Sequence, residues 1–277
     1  MKRDKSRKRG SLKASVLLGI LPLVLLALIA LSLMGYNTAR KTIINSIESE
    51  MTLVLNNAIE NIQTSLGKSA MVADTMARTV EIKGRDMTQD EYGELLTSFV
   101  GTNDEIFGSG IWFEPYAFNE NTQYFSPYCM RENGTPVYIE NYSLGEGQLY
   151  IDQDWYTSAK STSSPVVWSA PYYDSYAKVS MVTASAPFYD AAGHLMGVAT
   201  TDINLTHMQE IVNSIRIRNT GRVFLVDANG TYIADEDSEK LLKASITADK
   251  NASLSKLGTE ILSKRSGKGT YNQDGET

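Results

Sequence analysis

The 277-residue chain is short of the residues that usually carry chemistry: it has one cysteine, two histidines and seven prolines. The single Cys129 excludes an intrachain disulfide, so a folded exported domain must rely on its core; the thiol reads as a small buried hydrophobe. His194 follows a turn glycine and His207 lies on an expected helix face. Neither has a Cys, His or Glu partner at metal-ligand spacing. Nucleophile elbow, P-loop and dinucleotide fingerprint are all missing. Scattered carboxylates could imitate a glycosidase pair, but the sequence gives no separation to test. The expectation is a non-enzyme with no catalytic residues, no metal and no cofactor.

Charge is missing too, in one place. Ala14–Ala39 carries no charged residue, and Ala14–Met34 is almost wholly apolar. About 20 apolar helical residues cross a hydrocarbon core of about 30 Å. Pro22 sits inside the run, which membrane helices tolerate. Residues 1–13 carry seven Lys/Arg against one Asp, which places the N-terminus in the cytoplasm. The competing reading is a cleaved signal peptide, but its apolar core is shorter and ends at a small-residue site that LMGYNTARK does not offer. With a net +7 on residues 1–40 and −6 overall, residues 41–277 carry −13. An acidic exterior argues against nucleic acid and anionic lipid as partners.

Hydrophobic residues still make up 42% of the chain, enough for a buried core. The reading divides into a cytoplasmic basic segment (1–13), a transmembrane helix (14–36) and a long stalk helix (37–85). A sheet module (86–215) and the start of a second module (216–277) follow. On the stalk, Ile44, Ile47, Met51, Val54 and Ala58 follow a 3-4 spacing that Ile62 and Leu66 extend. The stripe suits packing on the chain's own domain or on a second protomer, giving a homodimer through the stalk. Thr88 is a candidate cap for a helix to Val100, ahead of Asp90 and Glu91. Strands are expected at Ile106–Phe113, Thr122–Tyr128 and Val137–Tyr142, with a turn at Asn133-Gly134. Trp155–Ser161 reads as a helix. Val179–Tyr189 and Leu195–Ile203 read as a hairpin around Asp190–Gly193, followed by helix Leu205–Ile215. Gly221–Ala228 and Thr231–Ala234 read as a second hairpin around Asn229-Gly230, and Gly269–Asn272 as a further strand. Because that last sheet looks unfinished, a fragment of a longer protein is the favoured reading over a single-anchored ectodomain.

The candidate site is spread along the Tyr-rich segment: Trp155-Tyr156, Tyr172-Tyr173-Asp174 and Asp202. Aromatic faces and carboxylates gathered in one pocket suit a small cationic or amine-bearing ligand. Each residue also has a structural reading. Trp155 and Tyr156 suit core packing, Asp202 a cap for the next segment, and Asp174 a turn. Trp112 and Trp168 read as core or pocket wall. A membrane-anchored interaction module without a small ligand is the rival from another class.

The order of a basic N-terminus, one span, a long helix, a Tyr/Trp-rich sheet domain and GRVFLVDANGTYIAD resembles a double Cache sensor domain. VSMVTASAPFYDAAGHLMGVATTDI resembles the paired central strands of its membrane-distal module, and IWFEPYAF, WYTSAKS and WSAPYYD the motifs before them. The resemblance covers residues 36–277 and implies an α+β fold. That fold has a long helix and two stacked PAS-like modules with antiparallel sheets, the second incomplete here. It implies a sensing role, most often in a bacterial methyl-accepting chemotaxis receptor, otherwise in a histidine kinase or cyclic-dinucleotide enzyme. Amino-acid-sensing members hold the ligand ammonium at positions matching Tyr172, Asp174 and Asp202, beside Trp155 and Tyr156. Their carboxylate-binding Arg is replaced here by Gln153; Tyr150 matches an upstream Tyr with short spacing. A neutral Gln cannot supply the two parallel charge-assisted bonds of an Arg. The resemblance therefore leaves both an amino acid and a plain amine open.

Overall fold

The structure is a computed structural model that describes residues 12–142, 148–217, 221–264 and 266–272, the side chains of 12–15 and 85 excepted. Most of the basic N-terminal segment and the end of the expected last turn lie outside the described residues. The chain divides into two units, residues 1–56 and 57–277.

The first unit lies on helix α1 (Leu12–Lys83), whose apolar stretch is the one long and apolar enough to cross a membrane among the described residues. Val16–Met34 exposes its large side chains throughout, and Ile44 and Met51 are also exposed.

The second unit is α+β, with an antiparallel sheet as its centre. Its portion of α1 buries Ser65, Ser69, Ala73, Met76, Ala77 and Val80, while Ile62 and Leu66 pack against Val182, Ile203 and Met208. Helix α2 (Gln89–Gly101) opens on a complete capping box: Glu91 N–H donates to the Thr88 hydroxyl, and Thr88 N–H donates back to the Glu91 carboxylate. Its buried face is Tyr92, Leu96 and Val100, one residue per turn.

Seven strands follow: β1 (Gly108–Phe113), β2 (Tyr128–Glu132), β3 (Thr135–Ile139), β4 (Val167–Trp168), β5 (Tyr172–Asp174), β6 (Val179–Tyr189) and β7 (Leu195–Asn204). Their order is β3-β2-β1-β7-β6, with β4 and β5 both pairing β6. The β2–β3 turn is Asn133-Gly134, both at positive φ, the condition of a tight two-residue hairpin. At the β6–β7 turn Asp190 accepts from the backbone N–H of Ala192 and His194. Helix α3 (Asp154–Lys160) covers one sheet face, and α4 (Leu205–Ser214) starts at the cap Asn204. The sequence-expected Thr122–Tyr128 strand is not formed. Pro127 has no N–H to give the ladder, and pairing starts at Tyr128, although Pro127 O and Phe125 O accept from Ile111 and Phe113.

A two-stranded ribbon, β8 (Leu225–Val226) and β9 (Tyr232–Ala234), and helix α5 (Ala252–Ser263) complete the described chain. Gly221–Ala228 yields only two paired residues because β9 is short and the ladder bulges at once. Gly269–Asn272 is not a strand: Asn272 bonds the side chains of Asn251 and Ser253 at the start of α5. The ribbon is joined to α4 by Gln209, whose amide donates to Asp235 O and accepts from Asp235 N–H.

Candidate functional site

Strands alternate their side chains between two faces, so β1, β6 and β7 each divide their residues between two environments. Ile111, Phe113, Ala184, Ala186 and Ala199 turn toward α1 and α2. On the other face, β1 contributes Gly108, Gly110 and Trp112, opposite Asp202, Thr200 and Val198 of β7. The two glycines make room for rings. A Cβ on Gly108 would lie 2.1 Å from the Tyr128 hydroxyl, and one on Gly110 2.8 Å from both Trp112 and Tyr128. Register then sets Thr183 beside Asp202 and Ser185 beside Thr200.

A cavity of about 10 Å³, the room of roughly one water, opens on this face. Its aromatic walls are Trp112, Tyr128, Tyr142, Trp155 and Tyr172; Asp174, Asp202, Met181, Thr183 and Thr200 complete it. The rings of Trp112 and Trp155 have centroids 4.9 Å apart, and those of Tyr128 and Tyr142 are 4.7 Å apart. Among the described residues the lining includes two carboxyl groups and no Lys, Arg or His.

The polar groups engage one another. Asp202 is 3% exposed and accepts from Tyr128 Oη (2.7 Å) and Thr183 Oγ1 (2.7 Å). Tyr172 Oη and Thr183 Oγ1 share a hydrogen bond of 2.8 Å. Asp174 Oδ1 accepts from Tyr142 Oη (2.6 Å) and from the N–H groups of Tyr176 (2.9 Å) and Ala177 (2.7 Å). Trp112 Nε1 donates to Thr200 Oγ1 at 2.8 Å. Burial pushes the Asp202 carboxyl up to about 7; the Thr183 and Tyr128 donors pull it back, and nearby Asp174 adds to the rise. Burial likewise holds the phenols of Tyr128, Tyr142 and Tyr172 above their ordinary value, so they act as donors.

Of the six sequence-derived site residues, Trp155, Tyr172, Asp174 and Asp202 meet at this cavity. Tyr156 is placed elsewhere: it is fully buried beneath α3 and donates to Glu114 Oε1 at 2.9 Å. Gln153 precedes α3, and its amide donates to Leu149 O at 3.2 Å on the exposed side. Tyr150 donates to Phe113 O and also lies outside the lining. Asp202 does not cap α4, since Asn204 does so. Asp174 does close a turn, while its carboxylate also faces the cavity. Sequence reasoning passed over Tyr128, Tyr142, Thr183 and Thr200. A signal for the last two was present: polar residues recur two apart on one face of the paired strands, at 183/185 and 200/202.

Residues 92–210 match the family model for the first PDC sensor domain of methyl-accepting chemotaxis protein-like receptors. The methyl-accepting chemotaxis protein McpC of Bacillus subtilis is 26% identical over 238 residues, covering 84% of this chain and 33% of McpC. Methyl-accepting chemotaxis protein X has a solved structure that matches with a TM-score of 0.63 at 20% identity, over 81% of this chain and 84% of that one. The ligand-binding domain of the Pseudomonas aeruginosa amino acid chemoreceptor PctC, in complex with GABA, matches with a TM-score of 0.51 at 19% identity, over 72% and 81%. The chain spans about a third of the length of the curated relatives it matches. Its fold is that of chemoreceptor extracellular sensor domains, as the sequence resemblance implied.

Proposed function

We propose that this chain is the sensing part of a transmembrane chemoreceptor and that its membrane-distal module binds a small amine-containing ligand outside the cytoplasm. In this reading residues 14–36 anchor the chain and 37–85 form a stalk through which two copies pair. Residues 86–215 bind the ligand, and 216–277 begin a second module. The observation that carries it is the lining: two carboxyl groups and five aromatic residues around one cavity, without a cationic side chain among the described residues. Carboxylates attract an ammonium, and each ring face adds about 0.5–2 kcal/mol of cation–π attraction. A ligand carboxylate would meet like charge there, and Gln153 is turned away. A plain amine therefore fits the lining better than an α-amino acid.

A cavity of about 10 Å³ admits such a ligand only if its wall moves. Strand β5 and its turn lie at the sheet edge, where Tyr173 and Tyr176 are exposed, and are the wall proposed to move. Because a ligand that binds the opened and closed forms unequally shifts their populations, this movement is also a means of signalling. The test is a thermal-shift screen of the full chain in detergent micelles against amines, amino acids, purines and organic acids. Stabilisation by amines is expected. Stabilisation only by carboxylates lacking an amine contradicts the roles of Asp174 and Asp202, and no stabilisation by any compound sinks the small-ligand reading.

A further inference from the structure

We infer that the same pocket senses protons: a proton and a ligand ammonium compete for Asp202, and each expels the other. This rests on the ammonium reading above and adds to it a second signal.

Three observations support the exchange. First, among the described residues nothing cationic faces Asp202 from the elements packed around it. Strand β2 presents Tyr128, the segment after β3 presents Tyr142, β5 presents Tyr172 and Asp174, β6 presents Thr183, and α3 presents Trp155. Strand β1 offers Gly108 opposite, and behind the sheet α1 brings Met76 to the hydroxyl of Ser109. Every titratable group on this list is a phenol or a carboxyl, so among the described residues an ionised Asp202 has no counter-charge until a ligand supplies one. Burying an unpaired carboxylate is costly, and the group takes a proton instead.

Second, the hydrogen bonds accommodate both states without moving a heavy atom. With Asp202 ionised, Thr183 donates to its Oδ1 at 2.7 Å and Tyr172 can donate to Thr183 at 2.8 Å. With Asp202 protonated, its O–H donates to Thr183 Oγ1, and the Thr183 hydroxyl turns to Tyr172. Tyr128 continues to donate to Oδ2 in either case. Third, the rise of this carboxyl to about 7 places the exchange near neutrality.

The step balances simply. The protonated Asp202 carboxyl and an alkylammonium give a carboxylate–ammonium pair, and one proton leaves to solvent. Affinity for the ammonium should therefore rise about tenfold per pH unit below the midpoint and level off above it.

The experiment is a pH titration of intrinsic fluorescence on the full chain in detergent micelles, since Trp112 and Trp155 both line the cavity. A transition between about pH 5.5 and about pH 8.5 is expected. It should vanish in Asp202→Asn and persist in Asp174→Asn. If Asp202→Asn does not fold, infrared difference spectra of the unmodified chain across the same range should show a carboxylic-acid carbonyl band lost as pH rises. No transition and no such band, or a transition that survives in Asp202→Asn, overturns the inference. Repeating the titration with millimolar propylammonium, tetramethylammonium or putrescine should move the midpoint down. If an amine stabilises the chain at high pH yet leaves the midpoint unmoved, the competition is overturned while the amine reading stands. An unmoved midpoint without stabilisation by any amine sinks both.

Discussion

The two faces of the central sheet come from the same strands yet are built for different ends. Toward α1 and α2, the residues Ile111, Phe113, Ala184, Ala186 and Ala199 close a dry core with Met76, Val80, Tyr92 and Leu96. Toward α3 and β5, neighbouring residues of those strands present Trp112, Thr183, Thr200 and Asp202 to a cavity. The first face gains stability from apolar burial and shape. The second places carboxyl groups and hydroxyls where water is scarce, an arrangement that costs stability unless the groups bond one another or a ligand. A single residue step along β7, from Thr201 to Asp202, passes from one regime to the other.

The largest effect should follow from breaking the packed face. Phe113→Ala removes a ring that contacts Tyr92, Phe118, Phe125 and Phe188, and should cost about 3–5 kcal/mol in denaturant unfolding. If the loss were below about 1 kcal/mol, this face would not be the main source of stability.

On the cavity face, pH should act with a definite sign. Asp202 titrates in the fold above its ordinary 3.8, near 7. Its contribution is fully present below the unfolded value, declines as pH rises from about 4 to about 7, and is gone above that. The shift is worth up to about 4 kcal/mol, so the melting temperature should fall between about pH 4 and about pH 7. Glu91 and Asp190, held below the usual carboxylate range by backbone N–H groups of Thr88 and His194, oppose this only at lower pH. Asp202→Asn should flatten the decline. A wild-type melting temperature that rises over that interval would contradict the assignment.

Asp174→Asn should reduce amine affinity by roughly ten- to a hundredfold, corresponding to about 1.5–3 kcal/mol for one charged hydrogen-bond partner. Isothermal titration of an amine that stabilises the full chain measures it. Unchanged affinity would remove Asp174 from the ligand's contacts and leave it as a turn residue.

Much of this division was legible in the sequence, because period-2 alternation and turn chemistry are local. The hairpin Val179–Tyr189 with Leu195–Asn204 and the capped helix after Thr88 were readable from residues close together in the chain. Trp155, Tyr172, Asp174 and Asp202 were also readable as a group, through resemblance. Tyr128 and Tyr142 were not, since they reach the carboxyl groups only through the β1–β2 register and the room left by Gly108 and Gly110. Strand β5 was too short for its pattern to be seen, and it is defined by pairing with β6. Tyr156 and Trp155 are adjacent, yet a helix turns successive residues by about 100°, sending one ring to the cavity and the other to Glu114.

The smallest effect tests whether the face, and not the hydroxyl, matters. Thr183→Val and Thr201→Val make the same chemical change on opposite sides of the sheet, in both cases at a fully buried residue. Thr183 donates to Asp202 and shares a bond with Tyr172, whereas Thr201 has a 3.4 Å contact with Ser109, whose own hydroxyl already donates to Thr200 O. Losing the Thr183 donor leaves the Asp202 carboxylate poorly satisfied, at about 1–2 kcal/mol above pH 7, and favours its protonated form. Thr201→Val should cost no more than about 0.5 kcal/mol, because it removes only a 3.4 Å contact and Ser109 keeps its bond to Thr200 O. Denaturant midpoints at about pH 8 compare the two. Equal losses would mean that the hydroxyls are interchangeable and that the chemical division between the faces does not extend to single side chains.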